Sequence, residues 1–296
     1  MPWLIRTHAV TSVPSAAALR TLRQLPAGKQ ANERFVGFGD PLFSVAQAEE
    51  AKDGQKVSVA GAVHRGAPLQ RRAAPQTLGV HSADLAQLPR LPDTADELRS
   101  IASALAVDPQ KALFLGRDAN EKKIKETDLT RFRIVAFATH GLVPGELNGL
   151  TQPALALTAP EVAGIDGDGL LTMEKVMTLK LNADWVVLSA CNTGTGAGAG
   201  AEAASGLGRA FFYAGARTLL ITNWSVHSAS ASELVTDLFR RQAADAGLSR
   251  AEALRQAMIA LMDSPGFSDP SGRTLFTYAH PLFWAPYSII GDGVGR

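Results

Sequence analysis

Cys191 and His140 are the two side chains of this 296-residue chain best suited to joint chemistry. Each stands where an apolar run ends, Cys191 in WVVLSACNTG from Trp185 and His140 in RIVAFATHG from Arg133. A thiolate attacks a carbonyl carbon to form a covalent intermediate, and an imidazole gives the leaving amine its proton. Together they supply the nucleophile and the acid/base group of an amide cleavage that needs no cofactor. Cys191 is the sole cysteine, and His140 lies 51 residues before it. A single cysteine forms neither an internal disulfide nor a Cys-based zinc site, so its thiol is either inert packing or chemistry. Taken by themselves, the two residues fit a core cysteine and a strand-ending histidine better than a dyad, and the context has to decide.

Competing motifs fail on spacing. GTGAGA within Asn192–Gly200 fits a relaxed dinucleotide fingerprint, but its first glycine comes three residues after Cys191, and no acidic residue stands about 20 positions on to hold a ribose. In IDGDG the acids Asp166 and Asp168 begin like a calcium loop, yet Leu170 and Met177 occupy positions that must carry oxygen ligands. Neither HExxH nor GxSxG occurs, and His8, His64, His81, His227 and His280 share no metal-ligand spacing, so no metal is expected. Glu202 opens a helix, where its charge suits the helix dipole.

The elements that must position the dyad alternate along the chain. An exposed strand is expected from Leu4 and a serine-capped helix over Ser15–Leu25, followed by a first core strand in Phe35–Phe43 that breaks at Gly39, Asp40 and Pro41. Residues 44–89 show no sustained period and read as an irregular insertion. A helix capped by Asp93 runs to Leu105; Ala112–Gly116 is a strand, Asn120–Leu129 a helix and Ile134–Thr139 the strand before His140. Pro153–Thr158 reads as a short strand, Leu171–Thr178 as a helix capped by Thr172 and Val186–Ala190 as the strand before Cys191. Helix Glu202–Gly215, strand Arg217–Asn223, helices Ala229–Ala244 and Arg250–Met262, and strand Pro286–Ile290 complete the chain. Six core strands alternating with helices predict an α/β fold, a mostly parallel sheet with helices on both faces. In such a sheet, residues beyond the carboxyl ends of strands converge on one crevice.

Composition narrows the partners. With 46% hydrophobic residues the chain can fill a sizeable core, and a net charge of +1 gives no electrostatic reason to bind nucleic acid or an acidic membrane. Lys122, Lys123 and Lys125 read as the solvated face of a helix. No stretch approaches the roughly 18 apolar residues of a membrane span, and Met1–Gln30 has no secretory pattern, so a cytoplasmic location is expected.

Several blocks, in order, carry a family likeness: VGFGDP at Val36–Pro41, LPDTADEL at Leu91–Leu98, FATHG at Phe137–Gly141, GLLTMEKV at Gly169–Val176 and LSACNTG at Leu188–Gly194. AEAASGLGRAFFYAGAR at Ala201–Arg217, NWSV at Asn223–Val226 and HPLFWAPYSIIGD at His280–Asp292 extend it. The chain resembles the CHAT domain, a caspase-like peptidase domain found behind tetratricopeptide repeats and related to caspases and separase. The resemblance implies a caspase-type sheet of order 2-1-3-4-5-6 over residues 35–296, with residues 1–34 as a lead-in layer. It implies a cysteine endopeptidase acting on protein or peptide substrates through His140 and Cys191, with the N–H groups of Gly141 and Cys191 as the oxyanion hole. It also implies, as partners, an upstream tetratricopeptide region or an activating partner. The candidate pocket residues are Ser189, Asn223, Trp224 and Ser225. Ser189 holds the place where caspases help bind an acidic side chain, so a preference for aspartate does not follow. Where many relatives have WPV and an acid, this chain has Trp224, Ser225, Val226 and His227. The alternative is a non-catalytic interaction module that keeps the fold.

Overall fold

The computed structural model describes residues 3–13, 15–24, 33–54, 84–189, 199–224, 226–269 and 271–294. Six strands form the central sheet: β1 (Glu33–Gly39), β2 (Leu113–Leu115), β3 (Phe132–Ala138), β4 (Trp185–Leu188), β5 (Thr218–Thr222) and β6 (Tyr287–Gly291). Their order is β2-β1-β3-β4-β5-β6. All neighbours are parallel except β6, which runs antiparallel to β5. This is the order expected from the family resemblance.

The continuous apolar runs arise because the inner strands are covered on both faces. Phe35, Ile134, Ala136, Trp185, Val187 and Leu220 face one core, built with helices Asp93–Ala104, Ser228–Ala244 and Arg250–Met262. Val36, Phe38, Val135, Phe137, Val186 and Leu219 face the other, which also holds Phe211 of helix Ala199–Ala214. Successive residues thus point to opposite sides, as a two-residue strand period requires. On the second face Phe38 stacks between Phe114 and Phe137, at ring-centroid distances of 5.1 and 5.4 Å, its register partners on both neighbouring strands.

Several local expectations change. The Leu4 segment is not a strand: Leu4–Arg6 is a 3-10 turn, drawn against helix Arg250–Met262 by the fork of Arg6 on Asp263 at 2.6 and 2.9 Å. Only Ser12 bridges to β6, at Ile290. The insertion opens with a helix, Val45–Gly54, and closes with a 3-10 turn, Leu85–Gln87. Pro92, not Asp93, is the cap position of the next helix. Leu170–Thr172 is a strand rather than the first turn of a helix, and helix Met173–Thr178 starts only after Thr172. That strand belongs to a second sheet absent from the sequence reading, where Ala154–Ala156 pairs antiparallel with both Gly141–Leu142 and Leu170–Thr172.

The turn before Leu170 contains Asp166 and Asp168 and is pinned from inside the protein. The buried Glu121 accepts from the N–H groups of Asp168 and Gly169, at 3.0 Å each, while Lys175 Nζ lies 2.8 Å from its second oxygen and 2.6 Å from Asp168. One carboxylate therefore satisfies two backbone donors and an ammonium that Asp168 shares. Removing it leaves those groups short of a partner. Glu121→Ala is expected to lower unfolding free energy by roughly 3 kcal/mol, read from the denaturant midpoint.

Candidate active site at the carboxyl edge of the sheet

His140 stands two residues beyond the end of β3, and Ser189 directly follows β4. The strands are in register with Phe137 level with Leu188, and the pairing continues as Ser189 N–H donates to Phe137 O at 3.0 Å. Cys191 is three residues past Leu188 in the sequence and His140 three past Phe137. Cys191, Ser225 and the glycine-rich residues 192–198 lie outside the described residues.

The His140 side chain is buried. Its Nε2 is 2.8 Å from the carbonyl oxygen of Pro89, and its ring centroid lies 5.5 Å from that of Phe43. A carbonyl only accepts, so this contact keeps the proton on Nε2 and makes Nδ1 the nitrogen that can take one up. The backbone is held as firmly: His140 O accepts from Ala156 N–H at 2.9 Å, and Thr139 Oγ1 donates to Ala156 O at 2.6 Å. The bond from Ala156 to His140, with Gly141 opposite Leu155, makes Gly141–Leu155 a non-hydrogen-bonded pair. The Gly141 N–H is therefore directed away from its partner strand.

The three described pocket candidates, Ser189, Asn223 and Trp224, follow strands at this edge with unequal freedom. Ser189 is buried. Asn223, just past β5, spends its side-chain amide on Pro286 O at 3.0 Å and Ser288 Oγ at 2.6 Å, tying β5 to the entry of β6. Trp224 is half-buried and sits outside the core clusters, its indole N–H reaching Leu282 O only at 3.5 Å. Sequence reasoning missed Pro89, Arg90 and Asp40. The charged pair stands in VGFGDP and LPRLPD, but no periodicity links position 40 to position 90.

His227 follows three residues after Trp224. It is buried beside Phe267, Phe276, Tyr278 and Phe283, and its Nδ1 accepts the Ser230 N–H at 3.4 Å as the cap of helix Ser228–Ala244. Burial pulls its pKa below the ordinary 6.5, with Asp93 acting in the opposite direction. Among the described residues, no group of three or more His, Cys, Asp or Glu side chains is placed to hold a metal ion. No helix among them is long and apolar enough to cross a membrane.

The family description "CHAT domain" matches residues 2–292. The chain belongs to the CHAT domain family. Among solved structures it is similar to a chain of the Saccharomyces cerevisiae separase–securin complex, at 12% identity and a TM-score of 0.46, covering 97% of this chain and 14% of that one. No curated protein sequence matches it. In this CHAT domain His227 places an imidazole where helix Ser228–Ala244 needs an acceptor.

That cap has a pH signature. A histidine neutral in the fold but protonated in the unfolded chain contributes stability that is complete above its unfolded pKa and lost as pH falls through the window below 6.5. Protonation also removes the Nδ1 acceptor and sets a positive charge at a helix N-terminus. Melting temperature should fall on acidification from pH 7 to 5, and His227→Asn, which caps at every pH, should flatten that fall. An unchanged slope in the variant would assign the acid sensitivity to other groups.

Proposed function

We propose that this CHAT domain is a cysteine endopeptidase. The observation that carries the reading is the β3–β4 register, with Phe137 opposite Leu188, together with the Nε2-protonated state the Pro89 carbonyl imposes on His140. Cys191 passes its thiol proton to His140 Nδ1, the thiolate attacks the scissile carbonyl, a C–S bond forms, and the carbonyl π electrons move to oxygen. The N–H groups of Gly141 and Cys191 stabilise that charge. As the intermediate collapses, His140 Nδ1 gives a proton to the departing amine and the C–N bond breaks. Water then attacks the thioester, with His140 Nδ1 taking its proton, and the peptide acid leaves as the thiol re-forms. The Asn223–Val226 segment lines the substrate groove, with Trp224 as an apolar wall and neighbouring backbone pairing to an extended peptide. The domain works as the carboxyl-terminal protease of a longer, tetratricopeptide-containing protein, in the cytoplasm.

Three substitutions test this. Cys191→Ala should abolish cleavage of a substrate found by peptide-library profiling while the fold survives; a pure binding module gives no difference because it cleaves nothing. His140→Ala should lower kcat by about 1000-fold or more with KM little changed, and a rise in KM alone would make it a binding group. Trp224→Ala should lower kcat/KM and alter the residue preferred before the cut, with melting temperature nearly unchanged. Loss of stability with an intact cleavage profile would remove Trp224 from the groove.

A further inference from the structure

Pro89 comes from a different part of the chain than His140, and something must hold its carbonyl on the imidazole. The residue after it does so. Arg90 extends its guanidinium to Asp40, with Nε 2.9 Å from Oδ1 and Nη2 2.7 Å from Oδ2, a fork in which both parallel bonds are made. Asp40 is the first residue beyond β1, and β1 pairs with β3 up to Gly39 opposite Ala138, two residues short of His140. The clamp therefore ties the Pro89 strap to the strand beside the one that carries the histidine. On its other side Gln47 Nε2 donates to Leu88 O at 2.8 Å, and Leu88 packs with Phe43 and Leu142.

From this geometry we infer that Arg90 and Asp40 are positioning residues for His140: through Pro89 they fix the tautomer and the aim of the imidazole. The inference rests on the peptidase reading for its consequence, not for its structural content.

Two observations separate this from ordinary stabilisation. Asp40 holds a left-handed backbone, φ 48°, one of two non-glycine residues with positive φ among those described. Such conformations cost energy and persist where the surroundings over-determine them, often at active sites. Burial also raises the Asp40 carboxyl above its ordinary pKa even with Arg90 pulling it down. The carboxylate is thus kept in place at a net cost, so the pair is a weak source of stability and a strict source of geometry. Asp40 N–H, donating to Thr94 Oγ1 at 2.8 Å, completes the anchoring.

The test is the side-chain 15N spectrum of His140 in histidine-labelled protein, assigned with His140→Ala. Wild type should show the Nε2-protonated tautomer almost alone at neutral pH. Arg90→Lys keeps the charge but cannot make the fork, and should give a mixture of tautomers; Asp40→Asn, close in shape, should do the same. Turnover should fall about 10- to 100-fold in kcat for both, with KM little changed. If either variant stays folded and its His140 spectrum matches wild type, the positioning role is wrong. If the spectra change but no peptide is ever cleaved by wild type, the clamp stands and the peptidase reading falls.

Discussion

Parallel pairing of β3 with β1 on one side and β4 on the other is the constraint from which the site follows. Each strand is buried on both faces, so a slip of one residue would turn Phe137 from one core into the other and bring Ala136 out of the first. The stacked rings of Phe114, Phe38 and Phe137 pin the same register across three strands. With Phe137 level with Leu188 and Ala138 level with Gly39, the residues that follow these strands are delivered to a common edge. Their placement is a consequence of core packing.

The small antiparallel sheet adds what the large one cannot supply. A strand end alone would leave His140 on a loop with several rotamers. Pairing of Gly141–Leu142 to Ala154–Ala156 fixes the backbone beside the imidazole, and Phe43, which packs against the ring, belongs to an apolar cluster with Leu88 and Leu142. In those surroundings a hydrogen bond to Pro89 is worth more than in water, because its loss would strand a buried polar nitrogen. The ring is therefore held in one orientation by its surroundings.

Elements whose signal is local were legible in the sequence. The β3, β4 and β5 runs show as continuous apolar blocks, and helix Arg250–Met262 has the bounds read from the sequence, its start capped by Ser249. His140 and Gly141 were visible as the residues just past a strand. What escaped depends on contacts between distant segments. The strand Ala154–Ala156 was read within Pro153–Thr158, but not its antiparallel pairing, because its partner Gly141–Leu142 is too short for a period and Leu170–Thr172 ran on into a helix that shares its apolar character. The Leu4 segment has strand-like composition, but its conformation is set by Asp263 and Trp284 from the far end of the chain. The Arg90–Asp40 fork joins residues 50 apart that no motif pairs.

Site-specific labelling tests the central claim most directly. The protein is treated with a peptide-derived electrophile built on a cleaved sequence, and the adduct is mapped by mass spectrometry while residual peptide cleavage is followed. The account predicts a single adduct on Cys191, cleavage lost in proportion to its formation, and labelling slowed strongly in His140→Ala. Peptide cleavage that persists after Cys191 is completely modified would contradict it.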